Sequence, residues 1–181
     1  MTKPNGLRML GLSGMAAIAV AAGVLALGTN KSFAVGDDAG PPTCASGKVW
    51  DEAKKDCVEQ KSGVVPDKSF TDYAYALAKE GRYSEALATL DLLINPNTPA
   101  ALNYRGYATR KLGRVEEGIG YYLKAVAMDP SYTLVREYLG EAYISLGRID
   151  LARQQLSAIQ NVCGVECEPA ALLSKAIDQA I

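Results

Sequence analysis

The chain has 181 residues, 19 basic and 20 acidic side chains for a net charge of -1, and 49% hydrophobic residues. It contains no histidine, which removes the commonest general acid–base group and the commonest metal ligand. Residues 1–34 carry three basic and no acidic side chains. The remainder therefore holds sixteen basic and twenty acidic groups, a net charge of -4. Such a balance gives no electrostatic reason to bind nucleic acid, and none is expected as a partner.

The first segment, 1–34, reads as an address. Lys3 and Arg8 precede an apolar run over 9–28, and Ser32-Phe33-Ala34 follows with small residues at its first and third places. That order predicts a signal peptide cleaved after Ala34 and a periplasmic or secreted product. Left uncleaved, the run approaches the ~20 residues that span a bilayer and would serve as an N-terminal membrane anchor.

Residues 35–66 hold two linkers around a short segment bounded by Cys44 and Cys57. All four cysteines, Cys44, Cys57, Cys163 and Cys167, lie beyond the address. An even number in an exported chain predicts disulfides, with three connectivities open and the local pairing the simplest. The pattern Cys44-x-x-Gly47-x-x-Trp50 … Cys57 resembles half of a small cysteine-stapled carbohydrate-binding module, although such modules use more cysteines. The plainer reading is a stapled hairpin that finishes the exported N-terminus.

From Asp67 the pattern becomes helical. Gly81-Arg82, Gly113-Arg114 and Gly147-Arg148 recur at spacings of 32 and 34 residues. Each pair closes one amphipathic stretch and opens another. Glycine suits the left-handed turn after a helix end. In the middle unit Leu102, Gly106 and Thr109 share one face, and Ile119, Tyr122, Ala125 and Val126 share another, at the i, i+3, i+4, i+7 spacing of a buried stripe. Thr98 suits a helix cap, Pro99 suits a first turn, and Asp129-Pro130 ends the unit. Three units are expected, at 67–98, 99–132 and 133–160. The segment 161–181 follows as a cysteine-containing turn and a capping helix from Glu168, with Leu172, Leu173, Ile177 and Ile181 on one face.

A 34-residue helical hairpin with small residues at these places resembles the tetratricopeptide repeat (TPR) family. Gly106, Gly113, Tyr122, Ala125 and Pro130 carry the resemblance in the middle unit. Tyr73, Ala74, Leu77, Gly81, Ala86 and Leu90 carry it in the first, and Leu139, Gly140, Tyr143, Gly147, Ala152 and Leu156 in the third. Arg105 stands where the family has leucine, and Arg136 where it has an aromatic or aliphatic residue. The resemblance implies an all-α solenoid of three helical hairpins. Its first helices line a concave groove that takes a protein or peptide.

The family's groove places fall here on Lys68, Thr71, Tyr75, Ala78 and Lys79, then on Ala100, Asn103, Tyr107, Arg110 and Lys111, then on Leu134, Glu137, Glu141, Ile144 and Ser145. Tyr75 and Tyr107 share the ninth place of adjacent units and suit binding anchors. Lys79, Arg110 and Lys111 form a basic cluster beside them, while Glu137 and Glu141 make the far end acidic. A polarised groove is expected, with an acidic portion of the ligand over Arg110 and Lys111. Thr71 stands where the family's carboxylate-gripping pattern has lysine, so that specificity is not expected.

Catalytic chemistry finds no constellation. Serines lack a histidine partner, and the helical acid pairs at 116–117 and 137/141 read as surface features. Cys163 and Cys167 could serve thiol exchange or a soft metal, but they lack redox spacing and a histidine to complete a site. The expectation is a non-enzymatic exported scaffold or adaptor for protein–protein contacts, without cofactor or metal. A wall- or glycan-binding protein using Trp50, and a thiol or metal protein using Cys163 and Cys167, are the alternatives.

Overall fold

The computed structural model describes residues 40–181; the expected signal peptide or anchor over 1–34 lies outside them. Two short strands come first, β1 (Lys48–Asp51) and β2 (Asp56–Glu59), paired antiparallel with Trp50 opposite Cys57. Seven helices follow: α1 (Asp67–Lys79), α2 (Tyr83–Leu90), α3 (Pro99–Lys111), α4 (Val115–Met128), α5 (Thr133–Ser145), α6 (Ile149–Cys163) and α7 (Glu168–Asp178). They stack as three helical hairpins, α1/α2, α3/α4 and α5/α6, with α7 packed on α5 and α6.

Each hairpin turns at one of the repeated glycines. Gly81, Gly113 and Gly147 have φ of +79°, +86° and +71°, a conformation that costs a side-chain-bearing residue energy. The arginine after each glycine donates its backbone N–H to a carbonyl near the end of the preceding helix: Arg82 to Leu77, Arg114 to Thr109 and Arg148 to Tyr143. Orphan carbonyls at each helix end are thus satisfied in the same way three times. The arginine side chains then diverge. Arg82 and Arg114 pair within their own units, with Glu85 and Glu117, while Arg148 reaches Glu116 in the preceding unit.

The helix starts also follow local chemistry. Thr98 caps α3, its Oγ1 accepting the Ala101 N–H at 3.2 Å, with Pro99 in the first turn. Asp67, at the start of α1, accepts the N–H groups of Ile94 and Asn95. That pair of bonds holds the loop after α2, which ends at Leu90, well before α3 begins. The first unit is therefore closed by a side chain where the others are closed by helix.

The core runs the length of the stack. Phe70, Tyr73, Leu77, Ala86 and Leu90 form its first part, and Tyr122, Val135, Leu139, Ile159 and Leu173 its second. Gly106 and Gly118 let α3 and α4 touch. A Cβ on Gly106 would lie 2.7 Å from the Tyr122 ring, and one on Gly118 would lie 2.8 Å from the Gly106 carbonyl oxygen.

The stapled segment proves to be part of the core. Val49 is fully buried and packs with Phe70 and Tyr73, and the structure pairs Cys44 with Cys57. Cys44 donates its N–H to the Tyr73 hydroxyl at 2.8 Å, and its carbonyl accepts Arg82 Nη1 at 3.0 Å. The expectation of a hairpin set apart by linkers is therefore corrected: too small to bury its own apolar side, it borrows the face of α1.

At the other end α6 runs on to Cys163, which the structure pairs with Cys167, and α7 starts at Glu168. The buried face of α7 is Ala170, Leu173 and Ile177, whereas Leu172 and Ile181 are exposed. The expected face is corrected accordingly. Leu173 fits over Gly140, where a Cβ would meet its methyls at 2.6 Å.

Candidate functional site

A groove of about 430 Å³ opens along the first helices of the hairpins and is closed at one end by the first turn of α7. Tyr75 and Lys79 reach it from α1, Tyr107 and Lys111 from α3, and Leu134, Glu137, Tyr138 and Glu141 from α5. Glu168, Pro169 and Leu172 complete the α7 end. Seven of the fifteen residues expected on this face therefore converge: Tyr75, Lys79, Tyr107, Lys111, Leu134, Glu137 and Glu141.

Four polar or charged residues among the remaining eight take different places. Lys68 is exposed, pairs with Asp72, and borders a separate cavity. Thr71 is buried, its hydroxyl donating to the Asp67 carbonyl at 2.8 Å. Asn103 is fully buried and donates to the Tyr132 hydroxyl at 3.3 Å. Arg110 has a side chain only 10% exposed and pairs with Glu141 at 2.6 Å. It spans α3 and α5 and leaves the basic rim to Lys79 and Lys111. An acidic ligand portion lying over Arg110 is not what this geometry offers. At Thr71, Asn103 and Arg110 the cause is common: polar side chains on an inner helix face that find protein partners are drawn into the packing.

The floor of the groove is aromatic. Tyr107 lies 5.1 Å from Tyr138 and 6.3 Å from Tyr83, centroid to centroid, and Tyr75 stacks on Tyr104 at 4.7 Å. Lys79 sits 5.7 Å above the Tyr75 ring and Lys111 5.4 Å above that of Tyr107, both within cation–π range. Burial raises the Tyr107 and Tyr138 phenols above their ordinary range, so both stay neutral at physiological pH. Glu137 lies at the α7 end, 5% exposed. Burial first, then Glu141 and Glu168, push its carboxyl up to about 7.

Sequence reasoning missed Tyr138, Tyr104 and the α7 contribution. Tyr104 and Tyr138 are 34 residues apart and occupy one place in adjacent units, a recurrence as regular as that of the glycines. Glu168, Pro169 and Leu172 carry no such signal, since α7 belongs to no repeat.

The tetratricopeptide-repeat family model matches this chain twice, over residues 71–133 and 105–161, together half of the chain. The chain belongs to the tetratricopeptide-repeat family. TPR departures at two positions are accommodated by pairing. Arg105 pairs with Asp91 at 2.7 Å while stacking over Tyr121. Arg136 donates to the Pro130 carbonyl and to Gln155.

Two Arabidopsis thaliana proteins are similar: the TPR repeat-containing thioredoxin TTL4, 38% identical over 80 residues, and the inactive TPR repeat-containing thioredoxin TTL3, 35% identical over 80 residues. Each match covers 43% of this chain and 12% of the relative, so the chain spans a small part of those relatives' length. Among solved structures, the first TPR domain of human RPAP3 superposes with a TM-score of 0.55 at 21% identity, over 63% of this chain and 91% of that one. The Yersinia enterocolitica type III secretion translocator chaperone SycD gives 0.55 at 15% identity, over 63% and 90%. These likenesses show the TPR fold. TPR domains are protein-interaction modules, and among the described residues no group of three or more His, Cys, Asp or Glu is placed to hold a metal ion.

Proposed function

We propose that this chain is an exported, non-catalytic TPR adaptor that holds an extended segment of a partner protein in its concave groove. The observation that carries the reading is the convergence of Tyr75 and Tyr107, with Lys79 and Lys111 above them, on one open surface. Aromatic anchors flanked by cations suit a peptide that offers both apolar side chains and carboxylates. Two structures of the same fold support a peptide ligand. The first TPR of Spaghetti (RPAP3) is bound to the HSP90 peptide SRMEEVD, and the second TPR domain of human RPAP3 is in complex with the HSP70 peptide SGPTIEEVD. Export is supported by the Lys3–Ala34 signal pattern and by the pairing of all four cysteines.

The test is capture of envelope or secreted proteins on residues 35–181, beside a Tyr107→Ala/Lys111→Glu variant. Arg110 is left intact because it holds α3 to α5. A protein held by the wild type and released by a variant of unchanged helical circular dichroism supports the groove. Equal capture by both rejects it. The intact mass of the protein from its producing cell tests export, which predicts a start at Val35 and no titratable thiol.

A second reading rests on a second cavity, of about 800 Å³, between the stapled hairpin and α1. Trp50, Tyr75, Glu52, Asp72 and Lys68 border it. Aromatic faces beside carboxylates and a lysine are a combination that takes sugars. Retention on insoluble glycan that drops with Trp50→Ala would support this reading, and equal retention rejects it.

A further inference from the structure

We propose that Glu137 is the seat for a cationic side chain, so that the segment bound in the groove presents a lysine or arginine to its α7 end. The inference rests on the groove reading above and specifies what that groove selects.

Glu137 as a residue is only 5% exposed, yet its carboxylate oxygens keep contact with the groove and form no hydrogen bond or ion pair among the described residues. Buried charges are normally paired, because an unpaired one forfeits its hydration without compensation. The cations nearby are committed elsewhere. Arg110 is bound to Glu141 at 2.6 Å, and Lys79 and Lys111 extend over Tyr75 and Tyr107 at the exposed rim. The groups that bear on Glu137 from the packed elements are Lys79 of α1, Arg110 of α3, Glu141 of its own helix and Glu168 of α7. Three carboxylates thus gather at one end of the groove, and the single guanidinium among them is already paired.

The surroundings fit the rest of such a side chain. Leu134, Tyr138, Pro169 and Leu172 border the same end of the groove. Apolar walls leading to a buried carboxylate match a lysine or arginine, whose aliphatic stem packs while its head pairs. An acidic side chain there meets like charge and an apolar one leaves the carboxylate without a counter-ion, so the site discriminates against both. Because burial and Glu141 hold the empty Glu137 partly protonated near neutral pH, an arriving cation displaces that proton. Affinity therefore rises with pH across the neutral range.

The test is selection from a random nine-residue peptide library displayed on phage, at pH 8, against protein purified from expression of the full chain, wild type and Glu137→Gln. The expected result is a lysine or arginine at one fixed position in the wild-type set and its loss in the variant set. The peptide selected by the wild type should bind Glu137→Gln about tenfold more weakly at pH 8, the order expected for losing one charge-assisted pair. It should also bind the wild type more weakly at pH 6. Replacing the fixed basic residue of the peptide by alanine should cost the wild type a similar factor and the variant nothing further. The wild-type arm of this comparison reads the cation's role without relying on the fold of a protein variant. Peptides selected without a fixed basic residue, or a Glu137→Gln variant of equal affinity, overturn the inference while leaving the groove reading intact. Selection of no peptide at all overturns both.

Discussion

Glu137 concentrates the conflict between packing and charge at a single residue. Its carboxyl is pushed from 4.5 to about 7 by burial, with Glu141 and Glu168 adding to the effect. The folded state thus holds this proton more tightly than the unfolded chain does. Stability is then fully present below the unfolded value and declines as pH rises through about 7. Glu137→Gln removes the titration but keeps the shape. It should raise stability by about 1–3 kcal/mol at pH 8 and by little at pH 4.5, read from urea unfolding at the two pH values. The glycines make a second comparison. A Cβ on Gly106 meets the Tyr122 ring at 2.7 Å and the Gly118 carbonyl oxygen at 3.0 Å, whereas one on Gly140 meets the terminal methyls of Leu173. A ring wedged against backbone cannot yield, but a leucine tip can turn. Gly106→Ala should therefore cost about 1–3 kcal/mol in thermal or urea unfolding, and Gly140→Ala distinctly less.

At the scale of elements, legibility followed repetition. The three Gly-Arg turns, the Thr98 cap and the buried stripes of α3 and α4 are local consequences of spacing, and the sequence displays them directly. Thr71, Asn103 and Arg110 were misplaced because a groove position says which way a side chain leaves the helix, not whether a neighbouring helix claims it. Tyr132 and Glu141 do so for Asn103 and Arg110. Least legible was the docking of the stapled hairpin, which depends on contacts far apart in the chain. Its backbone at Cys44 is held by the Tyr73 hydroxyl and by Arg82, and no periodicity announces either bond. Tyr73→Phe tests that arrangement. The ring still fills its place beside Val49, but the buried Cys44 N–H loses its acceptor. The variant should lose about 1–2 kcal/mol in urea unfolding, a penalty set by the unsatisfied donor. Ser46, which bonds to exposed Glu85, should matter far less when changed to alanine.

Across the whole molecule, a stack of hairpins behaves as a chain of nearest neighbours, so an end unit opens at less cost than a unit held on both sides. The two ends are closed differently. The first carries the β1–β2 hairpin, which adds Val49 to the core and two hydrogen bonds at the Cys44 backbone, one of them buried. The last carries α7, which contributes Ala170, Leu173 and Ile177 and leaves its opposite face to solvent. Both closures lie beside a cysteine pair, Cys44 with Cys57 and Cys163 with Cys167. Amide hydrogen exchange should therefore be slowest in α3, α4 and α5 and faster in α7, with Ile94 and Asn95 in the loop after α2 protected by Asp67. Adding a reductant should accelerate exchange at the two ends, since each pair shortens the excursions its segment can make. The middle hairpin should keep its protection. A uniform rise along α1–α7 would instead mean that the array unfolds as one unit and that the ends are no weaker than the middle. Because Glu137 and the α7 end of the groove sit at the weaker closure, a ligand that bridges α5 and α7 should slow exchange in α7 more than anywhere else.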